Sequence, residues 1–136
     1  PMQWINQKNA GFTDGEPWIP INPNYQEIYA ENQVMDPDSI FGCYKRLIQL
    51  RKEYPVLVDG SFQMFWEEDP NIFAYSRKNE EAEIAVIGNF FEQTVSCRIE
   101  ELGNSWELIL CNYKKGIQPS VLRPYEARMY WRKRNL

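Results

Sequence analysis

The stretch SFQMFWEEDPNIFAYSRK, residues 61–78, decides the fold class of this chain. Apolar residues alternate with polar ones on both sides of a break at 67–70, where three acidic residues precede a proline. Such alternation is typical of β-strands, and such a break is typical of the turn that joins two of them. The stretch therefore predicts a β-hairpin. The apolar residues that we expect to face the core are Phe62, Met64, Trp66, Phe73 and Tyr75.

Strand patterns continue from the hairpin to the end of the chain. The apolar run at 84–87 predicts a central strand. Turn signals separate the successive strands, among them those at 78–81, 103–105 and 114–116. Six strands joined in this way predict a mainly β protein, an antiparallel β-sandwich or open barrel. The three later strands are expected at 95–99, 106–110 and 125–131.

Residues 37–54 have a different period and predict one amphipathic helix. Asp36 can cap it, Pro37 suits its first turn, and Pro55 ends it. A single helix with a broad apolar stripe must pack on another surface. The apolar stripe follows steps of three and four through Ile40, Cys43, Tyr44, Leu47, Leu50, Arg51 and Tyr54.

Residues 1–36 predict an irregular leader, because prolines and glycines interrupt every regular pattern. A segment of this length without regular structure is usually a functional loop or one that expects a partner surface. Because the chain starts at Pro1, we also expect it to be a piece of a longer protein. Apolar residues of the leader that need covering are Met2, Trp4, Phe12, Trp18, Ile19 and Ile21.

Charge and composition exclude several classes of function. The 136 residues carry a net charge of -4 and include no histidine. We therefore expect no nucleic-acid partner, no His-dependent catalytic triad and no His-ligated zinc. No apolar run is long enough to cross a membrane, and no phosphate-binding glycine loop occurs, so neither a membrane, a metal nor a cofactor is predicted. A basic cluster near the end is expected to be a solvated strand end: Arg128, Arg132, Lys133 and Arg134.

Cysteines and carboxylates suggest no chemistry of their own. Cys43, Cys97 and Cys111 are odd in number and widely spaced, which predicts reduced core thiols in a reducing compartment. The acidic groups at 67–69 and 80–83 fall at hairpin turns. We expect them to be solvated rather than to form a general acid and base.

Several short motifs together resemble a known family. These are PMQW at 1–4, NAGFT at 9–13, DPDSIF at 36–41, IFAY at 72–75 and LRPYEA at 122–127. They resemble the C-terminal part of the α-amylase superfamily, glycoside hydrolase family 13. The likeness is to its α-glucosidase branch, which includes oligo-1,6-glucosidases, dextran glucosidases, trehalose-6-phosphate hydrolases and sucrose isomerases. It extends over essentially the whole chain.

The resemblance implies a domain organisation. Residues 1–54 would be the end of a catalytic (β/α)8 barrel, with the loop after the last strand at 1–36 and the last helix at 37–54. Residues 55–136 would be the C-terminal β-sandwich domain. The barrel of the parent protein would then be the partner of this segment, in a cytoplasmic enzyme that hydrolyses small α-glucosides.

The resemblance also implies where the chemistry lies. Family members retain anomeric configuration with an Asp nucleophile and a Glu acid/base on barrel strands. No position of this chain matches those motifs, so no catalytic residue is predicted here and the isolated chain is expected to be inactive. Trp4, Asn9 and Phe12 are the candidates for a loop near the leaving sugar, or alternatively for anchoring that loop to the barrel. Ile5 and Asn6 stand where many relatives have an acidic residue.

Two further expectations concern binding. Without the barrel, the apolar stripe and the leader lose their covering surface, so the isolated fragment is expected to self-associate. The alternative function is a non-catalytic carbohydrate-binding module, which would need coplanar Trp or Tyr rings exposed on one sheet face. Trp66, Trp106 and Trp131 lie in the apolar phase, which favours core packing over such a platform. Trehalose-6-phosphate, isomaltose, dextran ends and sucrose all remain compatible substrates of the parent.

Overall fold

The strands predicted from residue 61 onward form an antiparallel β-sandwich. The computed structural model describes residues 1–103 and 105–134, which separate into two compact units, Pro1–Leu50 and Arg51–Leu136. The predicted turn at 103–105 contains Asn104, which lies outside the described residues. The strands of the second unit are β1 (Ser61–Phe65), β2 (Ile72–Lys78), β3 (Ala82–Asn89), β4 (Val95–Ser96), β5 (Glu107–Cys111), β6 (Val121–Leu122) and β7 (Ala127–Lys133).

Two sheets enclose one core. Among the described residues, the larger sheet has the order β1-β2-β3-β7-β5 and the smaller one pairs β4 with β6, with every pair antiparallel. The prediction of a mainly β, antiparallel sandwich is confirmed. The sequence analysis missed strand β6, because its two residues are too few to show an alternating pattern. The predicted fourth strand at 95–99 is also shorter than expected, since residues 99–102 form a 3-10 helix. The core contains Ile72, Ala74, Ala85, Ile87, Val95, Cys97, Leu122 and Tyr130.

The prediction of which phase faces the core was wrong in the hairpin. In β2 the buried residues are Ile72, Ala74 and Ser76, whereas Phe73 is 42% exposed, and in β1 Phe62 is 54% exposed. Ile72 and Ala74 belong to the same core cluster as Val95 and Leu122 of the smaller sheet, which covers this face of β2. The aromatic residues of the hairpin point to the other side of the larger sheet, away from this core, and we call that side the outer face. From the register it contains Phe62, Met64, Phe73, Tyr75, Arg77, Ile84, Val86, Met129 and Trp131.

The three tryptophans of the predicted strands are divided between the two faces. Trp66 and Trp106 are partly buried against the core, and each indole N–H has a partner, Glu101 for Trp66 and the Leu102 carbonyl for Trp106. Trp131 lies on the outer face, 5.9 Å from the Tyr54 ring. Core packing therefore accounts for two of them, and the third packs on the other side of the sheet.

The first unit contains more helix than expected. Helix α1 (Ala30–Met35) and 3-10 turns at Lys8–Gly11 and Pro23–Gln26 occur in the leader that was predicted to be irregular. Helix α2 (Ile40–Glu53) corresponds to the predicted helix and ends in the second unit, where a short helix α3 (Val56–Asp59) follows it. The capping residue is Ser39, whose hydroxyl accepts the Gly42 N–H at 3.0 Å, rather than Asp36.

Burial of the cysteines also differs from the prediction. All three thiols are free, but Cys43 is exposed on α2, Cys97 is buried, and Cys111 is partly buried. The expectation that all three lie in the core is therefore wrong for Cys43. Ile40 and Tyr44 of the same apolar stripe are also exposed, so Cys43 shares the exposure of its neighbours.

Candidate functional site

The loop that carries the three candidate residues is closed by its own backbone. The Trp4 and Ile5 N–H groups both donate to the Ala10 carbonyl, at 2.9 and 3.2 Å, and the Phe12 N–H donates to the Asn9 carbonyl at 2.9 Å. These bonds bring the three candidates, Trp4, Asn9 and Phe12, onto one short loop. We call residues 4–12 the NAG loop.

Three consecutive residues of the NAG loop have left-handed backbone. Asn9, Ala10 and Gly11 have φ values of 56°, 54° and 67°. Alanine is disfavoured there by about 1–2 kcal/mol, and Ala10 is held in place because it is completely buried. A Cβ on Gly11 would lie 2.5 Å from the Ile5 side chain, so the position suits only glycine. Strained backbone of this kind often marks functional loops.

The side chains of the three candidates have different surroundings. Asn9 is partly buried, and its amide donates to the carbonyls of Thr13 at 3.0 Å and Gly15 at 2.8 Å. Trp4 is 51% exposed and Phe12 is 43% exposed. Asn9 thus shapes the loop, while the two aromatic side chains are available to contact something else.

The chain before the NAG loop is anchored to α1. The Gln3 amide donates to the Asn24 side chain at 3.0 Å and to the Ile28 carbonyl. The carbonyls of Gln3 and Trp4 accept the N–H groups of Ala30 and Glu31, at 2.8 and 3.0 Å. Sequence reasoning missed the anchoring role of Gln3, which depends on residues more than twenty positions away.

The acidic turns lie mainly in solvent, as predicted, with one exception. Glu80 and Glu81 are exposed, but Glu83 lies in β3, its side chain is 13% exposed, and it pairs with Arg132 at 2.6 Å, so the prediction is wrong for Glu83.

Glu67 and Glu68 are exposed, whereas Asp69 is partly buried because its carboxylate accepts the N–H groups of Asn71 and Ile72, at 3.0 and 3.2 Å. Asp69 therefore stabilises the turn of the hairpin. Within residues 1–103 and 105–134, no cluster of three or more His, Cys, Asp or Glu is arranged to hold a metal ion.

A buried charge network was not predicted. Arg128, expected to be solvated, is only 1% exposed, and its Nε donates to Glu126 Oε1 at 2.9 Å. The other guanidinium nitrogens donate to the carbonyls of Pro119 and Val121 and to the Tyr130 hydroxyl. Arg123 donates to the same carboxylate from both its side chain and its backbone, at 3.0 and 2.9 Å. Arg128 is buried because β7 lies inside the sheet, between β3 and β5.

The environment of Glu126 determines its protonation. Burial by itself raises the pKa of Glu126, but hydrogen bonds from Arg123 and Arg128 outweigh burial and lower the pKa to about 2. A carboxylate held ionised by two guanidinium groups is a structural ion pair and a poor general acid. Nearby, burial raises the pKa of the Cys97 thiol to about 11, which makes this thiol unreactive.

In the described part of the chain, no helix combines the length and apolar character needed to cross a membrane.

Comparison with known proteins gives the family. Residues 1–60 match the family described as "Alpha amylase, catalytic domain". The chain is 45% identical to an oligo-1,6-glucosidase of Halalkalibacterium halodurans and 39% identical to a trehalose-6-phosphate hydrolase of Bacillus subtilis, in each case over 96% of this chain and 24% of the relative.

Solved structures agree with the sequence relatives. The crystal structure of the isomaltulose synthase from Klebsiella sp. LX3 matches 98% of this chain and 25% of its own, with a TM-score of 0.90 and 36% identity. This chain thus spans about a quarter of the length of the proteins that it resembles. By its sequence and its fold, the chain belongs to the α-amylase family, glycoside hydrolase family 13.

Proposed function

We propose that this chain is the C-terminal portion of a retaining α-glucosidase that acts on short α-glucosides, of the oligo-1,6-glucosidase or trehalose-6-phosphate hydrolase type. The observation that carries the proposal is 39–45% identity to such enzymes over 96% of the chain. Residues 1–54 complete the catalytic barrel, and residues 55–136 form the stabilising sandwich domain. Free thiols at all three cysteines support a reducing, cytoplasmic location.

In this proposal the segment stabilises the enzyme and does not perform its chemistry. Retaining hydrolysis needs a carboxylate nucleophile and a carboxylic acid about 5–5.5 Å apart. The most buried described carboxylate, Glu126, is already paired with two arginines, and the turn carboxylates Glu67 and Glu68 are solvated. The catalytic pair therefore belongs to the barrel of the longer protein, which is the partner of this segment.

An activity assay tests the proposal. The isolated 136-residue chain should show no hydrolysis of p-nitrophenyl α-glucoside, isomaltose or trehalose-6-phosphate, whereas the longer gene product should hydrolyse at least one of them with retention of configuration. The preferred substrate then separates the two types of glucosidase. Hydrolysis by the isolated chain, or no hydrolysis of any α-glucoside by the longer protein, would contradict it.

The NAG loop is proposed to contribute to the substrate site through Trp4, Asn9 and Phe12. The closed backbone, the left-handed residues and the exposed aromatic side chains support this role. In the longer protein, Trp4→Ala should raise KM about two- to ten-fold, because loss of one stacking ring removes about 0.5–1.5 kcal/mol. Trp18→Ala removes an exposed indole outside the loop and is the matched control. Equal kinetics for the two variants would favour an anchoring role instead.

Exposed apolar residues on α2 support self-association of the isolated chain. Ile40 and Tyr44 are mostly exposed, and the longer protein would cover them.

A further inference from the structure

The side-chain amide of Gln3 binds two acceptors in a distant part of the leader. Its Nε2 donates to Asn24 Oδ1 at 3.0 Å and to the Ile28 carbonyl. Asn24 is itself held, because the Asn22 side chain accepts its backbone N–H at 3.3 Å. A primary amide nitrogen carries two donor hydrogens, which suits a position between two acceptors. A glutamate carboxylate at this position would only accept, so it would repel both oxygens.

The backbone of Gln3 and Trp4 caps helix α1. Their carbonyls accept the N–H groups of Ala30 and Glu31, at 2.8 and 3.0 Å. The first N–H groups of a helix have no partner within the helix. Tyr29, the N-cap residue, makes no capping hydrogen bond with its side chain in the described structure. The chain at 3–4 therefore takes the place of a capping side chain, and it is joined to residues 24–31 by both its backbone and the Gln3 amide.

These contacts fix both peptide groups of Trp4. Its N–H donates to the Ala10 carbonyl at 2.9 Å, inside the NAG loop, and its carbonyl accepts the Glu31 N–H, outside the loop. Holding both groups sets the direction in which the side chain leaves the backbone, while the indole stays 51% exposed. An exposed ring on a fixed backbone is preorganised for binding, because little conformational entropy is lost when a ligand arrives.

We propose that Gln3 is a positioning residue of the substrate site, which acts by fixing the Trp4 indole and does not itself contact the substrate. This inference rests on the proposed function. Without the Gln3 amide, the chain at 3–4 is held to residues 24–31 by its backbone alone, so the indole samples more directions. Stacking stabilises the bound substrate and the transition state alike, so loss of Gln3 weakens substrate binding and leaves the chemical step unchanged.

Steady-state kinetics of the longer protein test the proposal. Gln3→Glu is nearly isosteric and should raise KM about two- to ten-fold, the range expected for losing the Trp4 ring, with kcat changed by less than about two-fold. Gln26→Glu adds the same charge at an exposed glutamine of the 3-10 turn Pro23–Gln26. It is the matched control and should leave KM at its original value.

Combination with Trp4→Ala distinguishes positioning from a general loss of structure. If Gln3 acts through the indole, Gln3→Glu should have no further effect on KM once the ring is absent, so the two changes are not additive. Multiplication of the two single effects in the double variant would overturn the proposal. An unchanged KM for Gln3→Glu, or a fall in kcat alone, would overturn it as well.

Asn24 gives a second pair of variants in case Gln3→Glu does not fold. Asn24→Ala removes one acceptor of the Gln3 amide without adding a charge, so it should raise KM in the same direction. Asn24→Asp keeps an oxygen acceptor facing that amide and should retain the original KM. Equal KM values for these two variants would contradict the role of the Gln3 hydrogen bonds.

Fluorine NMR of the longer protein labelled with fluorotryptophan separates this inference from the proposed function. The Trp4 resonance is assigned by its loss in Trp4→Phe. Gln3→Glu should shift or broaden it, whereas Gln26→Glu should not. An active enzyme whose KM and Trp4 resonance do not respond to Gln3→Glu contradicts only the positioning role. A protein that hydrolyses no α-glucoside, but whose Trp4 resonance responds, contradicts only the proposed function.

Discussion

Glu126→Gln is expected to lower the free energy of unfolding of the chain by about 3–5 kcal/mol, the usual cost of breaking a buried ion pair. Glutamine has nearly the same volume, so the change creates no cavity. It replaces one acceptor oxygen by a donor that faces guanidinium groups, and it leaves the buried Arg128 without its counter-charge. Urea denaturation measures the loss as a lower midpoint with an unchanged slope.

Glu83→Gln is the matched control for this prediction. Glu83 pairs with Arg132 at 2.6 Å, but the two side chains are more exposed, so the expected loss is smaller. Equal losses for the two variants would contradict the argument that burial of Glu126 decides the cost.

The pH dependence provides a second measurement on the same ion pair. The folded protein holds the pKa of Glu126 at about 2, below its ordinary value of 4.5, because the arginine hydrogen bonds favour the carboxylate more than burial disfavours it. A lowered pKa contributes stability that is complete above about pH 5 and is lost as the pH falls from there through 2. The Glu126→Gln variant should lose less stability over this range than the original chain. Parallel pH profiles would exclude the ion pair as the cause.

Ile87→Ala should cost about 2–5 kcal/mol, the range for removing a large aliphatic side chain from a packed core. Ile87 is completely buried, and the register places it between Ala74 on β2 and Arg128 on β7. Small neighbours such as Ala74 cannot move to fill the cavity. Urea denaturation of the isolated chain measures the change, which should appear mainly in the midpoint.

Phe73→Ala is the matched control for Ile87→Ala, because it removes a side chain from the other face of the same sheet. Phe73 is a larger side chain on the strand next to Ile87, but it points to the exposed outer face, so its loss should cost about 1 kcal/mol or less. A cost as large as that of Ile87→Ala would mean that the outer face is already covered in the isolated chain.

Most strands and the long helix could be predicted because their signals are local. Alternation at 61–78 corresponds to β1 and β2, and the three-and-four spacing before Pro55 corresponds to α2. The candidate site was predicted less completely. Trp4, Asn9 and Phe12 were chosen by resemblance, whereas the left-handed run and the Gln3 anchor became visible only when residues 4–12 and 24–31 were seen together.

Sequence alone determined the order of helix and strands, the family resemblance and the lack of histidine chemistry. Tertiary structure decided which phase of each strand is buried. It placed Ala74 and Ser76 of β2 inside and Phe62 and Phe73 outside, and it buried Arg128, which the pattern predicted to be solvated. The physical reason is that alternating residues along a strand show which side chains share a face of the sheet. The alternation does not determine which of the two faces a second sheet will cover. That choice depends on β4 and β6, which pair with each other across some twenty-five residues of chain.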